Sequence, residues 1–441
     1  MREAEKKINY FFELQKIMRH YFKDFTKWLK TVTDPRHASY VKYPLEVLLL
    51  MLIMKHTTGV KTMREMTSRF NTEAGIENMR ELSELETLDE LPHYDTINNV
   101  LEKLETKEIE EVRYKLIRQL IRKRSFEGHR LSINGKYHWL ITIDGTGLHT
   151  FKERHCEHCL KRERVNKETG DKSVIYYHHV LEAKLVLGEM VFSVCSEFIE
   201  NESEEVSKQD CELKAFYRME KKLKGAFPRL LICLTADSLY ACEPVFKVCQ
   251  KNNWEYIFRF KEGRLPSVAK EYGVLAQLNE DQKKSQLINH EQWNMNWVNE
   301  IAYQERELNI CELEVVKEDK STTTFVYLTS FLLDEKNIKQ TVETGRSRWR
   351  IENEGFNRQK NHRGFIHHLN SYHDIAMKNH YILTQIAEII MVLYELGLEF
   401  FHQVKKMIKE KSSDLLEAFR QRTLTAEDKK RLDKLIQVRF T

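Results

Sequence analysis

Apolar residues recur at helical spacing through the first ~130 residues, and the pattern then changes to runs of β-formers. From Tyr10 to Val32 the positions Phe11, Leu14, Ile17, Met18, Tyr21, Phe22, Phe25 and Leu29 follow a helical period. Asp34-Pro35 breaks that run, and Pro44 opens a second helix through about Lys55. Further helices are expected at Lys61–Phe70, Thr96–Leu104 and Lys107–Arg124. Residues 1–135 therefore read as a helical N-terminal domain. It contains units of helix-turn-helix size, a pattern shared by any helical bundle and expected here to contact DNA.

From Tyr137 the chain alternates strands and helices. Trp139–Ile143 is a candidate first strand, and Val174–Leu187 with Met190–Ile199 reads as a hairpin turning at Gly188-Glu189. A helix over Glu204–Lys224, stopped by Pro228, precedes a strand at Leu230–Leu234, a helix at Tyr240–Asn252 and a strand at Trp254–Phe260. Three strands, helix, strand, helix, strand is the order of an RNase H-like α/β core, with its first part at 136–261. Residues 262–332 read as a β-rich insertion with strands at Ile301–Val316 and Thr322–Phe331. The segment 333–370 carries a helix from Glu335 to about Arg363, with Gly364 as its stop. C-terminal helices, His373–His402 and Ser412–Val438, complete 371–441.

Composition narrows this picture. Charged residues make up 31% of the 441 and hydrophobic ones 41%, as in a globular, non-membrane protein. The net charge of +4 is small, so any DNA binding must rest on local patches. Leu45–Met54 is too short to span a bilayer, and Glu388, Glu395 and Glu399 interrupt Ile382–Phe401. No secretory signal is visible, and a cytoplasmic location without membrane contact is expected. The eight cysteines then read as reduced thiols, with Cys195 and Cys233 in core strands.

Three acidic residues bring chemistry in. Asp144 follows Leu140–Ile143 and is followed by Gly145; Asp237 follows Leu231–Ala236; Glu352 lies in the helical run Arg348-Trp349-Arg350-Ile351-Glu352. Two-metal phosphoryl transfer needs carboxylates that hold two cations roughly 4 Å apart, and Mg²⁺ or Mn²⁺ suits such oxygens. Each residue also has a plain structural use: Asp-Gly as a turn, Asp237 or Ser238 as a helix N-cap, Glu352 as a solvated helical residue. On an α-helix Arg348, Glu352, Phe356, Gln359 and Arg363 fall within about 40° of one line. Arg348 is then placed to pair with Glu352 or hold a phosphate, while Trp349, Arg358, Lys360 and Arg363 extend a DNA-facing stretch. Glu354 is a second carboxylate about 200° away from that line.

These motifs resemble the DDE transposases of bacterial insertion sequences, specifically the insertion-sequence-4 family, over about residues 137–365. That family carries a β-insertion between its second aspartate and its glutamate, and a signature of Tyr, two residues, Arg, three residues, Glu, six residues, Lys. Arg348 and Glu352 match the Arg and Glu positions, with Trp349 and Ile351 as common flanking residues; Gly345 and Gln359 stand at the Tyr and Lys positions. Lys360 comes one residue late, roughly 80° off Glu352's line on an α-helix. The resemblance implies an enzyme holding Mg²⁺ (or Mn²⁺) on Asp144, Asp237 and Glu352. It implies binding of terminal inverted repeats as a homodimer, strand cleavage at element ends and transfer into target DNA. Two other readings fit the same residues: a transposase-derived DNA-binding protein that does not cut, and an RNase H-like nuclease.

A second cluster, His155-Cys156-Glu157-His158-Cys159, carries Cys-x-x-Cys spacing suited to half of a structural zinc site. His178 and His179 are the candidates for the other half, with Cys156 and Cys159; reduced thiols in an exposed loop are the alternative. Lys152, Arg154, Lys161, Arg162, Arg164 and Lys167 surround the cluster, as a DNA-contacting or simply solvated loop.

Overall fold

The computed structural model describes residues 8–166, 168, 170–206, 208–279, 281–362, 369–397 and 407–434. Among the described residues seven α-helices come first: α1 (Tyr10–Phe22), α2 (Phe25–Leu29), α3 (Leu45–Thr57), α4 (Met63–Phe70), α5 (Glu73–Ser83), α6 (Tyr94–Leu101) and α7 (Thr106–Arg122). The expected Tyr10–Val32 helix is two helices, because the chain leaves the α1 axis at Lys23-Asp24. Helix α5 has no counterpart in the sequence reading, although Thr72 caps it by accepting from Gly75 N–H. All of α3 is buried, so its continuous apolar run is that of a bundle-centre helix.

The sheet strands are β1 (Leu131–Ile133), β2 (Lys136–Phe151), β3 (Leu160–Val165), β4 (Lys172–Leu187) and β5 (Met190–Ile199), then β6 (Ile232–Ala236) and β7 (Glu255–Arg259). Helices α8 (Glu212–Ala226) and α9 (Glu243–Asn252) connect the last three. Strand β2 pairs in parallel with β6, and β6 in parallel with β7. On the other side β4 runs antiparallel to β2. Strands β5 and β3 share β4's far edge, β5 along its C-terminal half and β3 along its N-terminal part. The central strands are buried on both faces, which is why they read as unbroken apolar runs.

After helix α10 (Pro266–Leu278) a meander follows: β8 (Lys283–Ile288), β9 (Glu291–Tyr303), β10 (Arg306–Val316) and β11 (Thr322–Thr329). Strand β11 pairs antiparallel with β7, so the insertion extends the same sheet. The expected strand Ile301–Val316 is the end of β9, a turn and β10; Gln304 supplies the turn with φ +54°. Helix α11 (Ile338–Arg346) covers one face of this extension, where Trp293, Met295, Trp297 and Leu313 form a second core. Beyond it lie a π-helix (Ile351–His362), α12 (Asp374–Leu396), α13 (Ile408–Gln421) and α14 (Ala426–Leu432). Helix α12 packs against α1, α3, α6, α7 and strand β5, joining the helical bundle to the sheet. Among the described residues no helix is long and apolar enough to cross a membrane.

Candidate active site

Parallel pairing of β2 with β6 ends at Thr142 and Thr235, register partners whose hydroxyl oxygens lie 2.7 Å apart. Asp144 and Asp237 each follow two residues further along their strands. They therefore occupy matched positions just past the last paired residues of the two parallel strands, on the side where open α/β sheets place their sites. Asp144 is not at a strand end, as the sequence suggests: β2 continues to Phe151, bulging against β4 between Gly147 and Thr150. What ends before Asp144 is its parallel partner.

Asp144 Oδ1 accepts the Gly145 N–H at 2.9 Å, and its Oδ2 accepts from Arg348 at 3.2 Å. Burial pushes the Asp144 carboxyl up to about 6, against the pull of Arg348 and the Gly145 N–H; the negative charges of Glu212 and Asp237 push the same way as burial. Asp237 Oδ1 accepts the Leu239 N–H at 2.7 Å and caps the short 3₁₀ turn Ser238–Tyr240, so the N-cap use holds for one of its oxygens. The crowding of carboxylates at a hard-oxygen site fits divalent cations such as Mg²⁺ or Mn²⁺, which neutralise such charge.

A third carboxylate near these two went unnoticed in the sequence. Glu212, the first residue of α8, lies 3.6 Å from His179 Nε2. A Cβ on Gly145 would sit 2.5 Å from Glu212 Oε1 and 2.6 Å from His179 Nε2, so the absent side chain makes room for this pair. Tyr240 lies beside them; burial, with the charges of Glu212, Asp237 and Asp144, pushes its phenol well above its ordinary range.

The expected catalytic helix crosses this strand end. Arg348 sits in the turn after α11, and the chain then winds into the π-helix, which packs on β2 and β5. Arg348 reaches Asp144, and Lys360 donates to Thr146 Oγ1 at 2.5 Å, two residues along the same face of β2. Glu352 lies between these anchors in sequence and is exposed; it makes no hydrogen bond or ion pair to either aspartate among the described residues. Arg348 pairs with Asp144 rather than with Glu352.

The remaining predicted DNA contacts divide. Trp349 is 44% exposed, with Arg350 against its ring. Arg358 faces inward instead, in ion pairs with Glu388 at 2.9 Å and with Glu395, the acidic residues that interrupt the apolar run of α12. Glu354 is half-buried and adds to the negative charge around Arg358. Gln359 is fully buried, exchanging amide hydrogen bonds with Gln385 at 2.9 and 3.1 Å. Arg363 lies outside the described residues, as does Lys167. Gly345, at the family's tyrosine position, packs on Tyr327 of β11; a Cβ there would lie 2.6 to 2.8 Å from the ring.

Cys156, Cys159 and His178 gather in one place, but with His155 rather than His179. His178 and His179 are consecutive on β4 and so point to opposite faces; His179 turns toward Glu212. The basic segment after the cluster is not a loop: Lys161, Arg162 and Arg164 stand exposed on β3.

Residues 26–117 match the model of a family described as DDE_Tnp_1-associated. Comparison with solved structures finds the cryo-EM structure of a piggyBac transposase synaptic complex with hairpin DNA. It is 12% identical, with a TM-score of 0.43 over 96% of this chain and 82% of that one. No curated protein sequence matches the chain.

Proposed function

We propose that this chain is a DDE-type transposase of the insertion-sequence-4 kind, with an RNase H-like core that cuts DNA at element ends and joins it to target DNA. The carrying observation is the matched placement of Asp144 and Asp237 beyond the Thr142–Thr235 pair, under a helix anchored by Arg348 and Lys360. The strand order β5-β4-β2-β6-β7, with β2, β6 and β7 parallel, supports the RNase H-like reading, and the match over residues 26–117 supports the transposase reading.

In this reading Asp144 and Asp237 are the first two metal-holding carboxylates, and Glu352, exposed on the crossing helix, is the third. Divalent cations held there supply the positive charge that in-line displacement at phosphorus requires. Arg348 orients Asp144 and offers a guanidinium to a phosphate. Lys360, held at the mouth of the site by Thr146, neutralises backbone charge on the bound strand. Terminal inverted repeats and target DNA are the substrates, and a homodimer brings two ends together.

The test is metal-dependent nicking of DNA taken from the two flanks of the coding region. The wild type cuts with Mg²⁺ or Mn²⁺; Asp144→Asn and Asp237→Asn lose cutting yet keep end binding. Full cleavage by Asp144→Asn overturns the assignment. A second reading, a DNA-binding protein without cleavage, is favoured by protein donors on both oxygens of Asp144 and on one oxygen of Asp237. Specific end binding without cutting at any Mg²⁺ or Mn²⁺ concentration would establish it.

A further inference from the structure

His155, Cys156 and Cys159 lie in the turn between β2 and β3, and His178 projects toward them from β4. The Cys156 and Cys159 sulfurs are 3.7 Å apart, and His178 Nε2 lies 3.6 Å from the first and 3.5 Å from the second. One donor atom from each of the four residues falls within 4.8 Å of all the others. With Zn–S about 2.3 Å and Zn–N about 2.0 Å, tetrahedral angles put two sulfurs about 3.8 Å apart and sulfur and nitrogen about 3.5 Å apart. The three spacings among Cys156, Cys159 and His178 are those of a zinc coordination shell. They are far too long for a disulfide, whose sulfurs stand about 2.05 Å apart. A further sign is His155 Nδ1, buried without a hydrogen-bond partner among the described residues.

The surroundings hold these donors in place. His158 and Asn201 exchange contacts, with His158 Nδ1 2.9 Å from the Asn201 carbonyl oxygen, and the Asn201 amide donates to the Cys159 carbonyl at 3.0 Å. The His155 ring stacks between Phe151, at 4.5 Å, and Tyr372, at 5.5 Å, just before α12. We propose that His155, Cys156, Cys159 and His178 bind one structural zinc ion that clamps the β2–β3 turn to β4 and to the approach to α12. Two thiolates and two neutral imidazoles leave the complex uncharged and the tetrahedron closed, as in structural rather than catalytic sites. The clamp fixes the base of the ribbon that displays Lys161, Arg162 and Arg164, whatever that ribbon binds.

Metal analysis of the reduced full-length protein, purified without chelator, reads about one zinc per chain. Cys159→Ser and His155→Ala each lose it, whereas His179→Ala retains it. Asp144→Asn also retains it, so failure of the zinc proposal and failure of the transposase reading appear in different measurements. Should the ligand variants not fold, Co²⁺ added to metal-free wild type gives the visible bands and thiolate charge transfer of a tetrahedral two-sulfur site. Zinc below about a tenth of an equivalent after reconstitution, or no cobalt spectrum, overturns the proposal. Retention of zinc by Cys159→Ser overturns it as well.

Discussion

Arg348 donates to Asp144 Oδ2 at 3.2 Å, joining residues 204 positions apart in sequence. The guanidinium is the largest counterweight for a carboxyl that burial, Glu212 and Asp237 all push toward protonation. Arg348→Ala removes it, and the partly exposed pair predicts a loss of about 1 kcal/mol of stability without divalent ions. A divalent cation bound at Asp144, as proposed, would take over the same neutralising role, so Mg²⁺ or Mn²⁺ is expected to raise the melting temperature of Arg348→Ala more than that of the wild type. Equal shifts would show that cations do not bind at Asp144.

Gln359 and Lys360 carry opposite predictions. Gln359→Lys places a lysine where the resembling family carries one, but buries a second ammonium near Lys184, which already donates to Gln385 at 3.2 Å. Chemical denaturation should show a loss of about 3 to 5 kcal/mol. Lys360→Ala leaves stability within about 1 kcal/mol but weakens end binding and makes it less salt-dependent, by roughly one counterion in the log–log slope.

Gly345→Ala drives a methyl group into the Tyr327 ring, which is 2% exposed and cannot swing aside. The expected loss is about 1 to 3 kcal/mol, measurable by thermal melting. Pairing it with Tyr327→Leu recovers part of the loss if ring contact is the cause; no recovery would point to the backbone instead.

Lys55, on the fully buried α3, gives a pH-dependent prediction. Burial lowers its ammonium from 10.5 to about 7. The unfolded chain thus binds more protons between those values, so this residue's destabilisation is absent above about pH 10.5 and grows as pH falls toward 7. Lys55→Met removes it. The variant should melt well above the wild type at pH 7, by on the order of a few kcal/mol, and the gap should narrow steadily toward pH 10. A gap that does not change with pH would assign the effect to packing alone.

Much of the core architecture could be read from the sequence, since strands buried on both faces leave runs such as Ile232–Ala236. The antiparallel meander was harder: Gln304 turns the chain within a continuous β-forming stretch without Gly or Pro to mark it. The matched placement of Asp144 and Asp237 followed from the strand pattern, but which of His178 and His179 faces the cysteines depends on register. Glu212 gave no signal, because its proximity to Asp144 is tertiary. The face of the crossing helix was misjudged because 100° per residue does not apply. At about 4.4 residues per turn, Lys360 lies roughly 65° from Glu352's line and Gln359 roughly 147°, reversing the α-helical order.

That widened helix also acts as a length buffer. Each of its hydrogen-bonded turns encloses one residue more than an α-helical turn. A chain with an extra residue between its arginine and its lysine can therefore still bring those two side chains to one strand, as Arg348 and Lys360 reach β2, the surplus taken up in girth. In such a lineage an insertion of one residue is absorbed by the winding of the helix, and aligning the letters one by one will pair the wrong side chains.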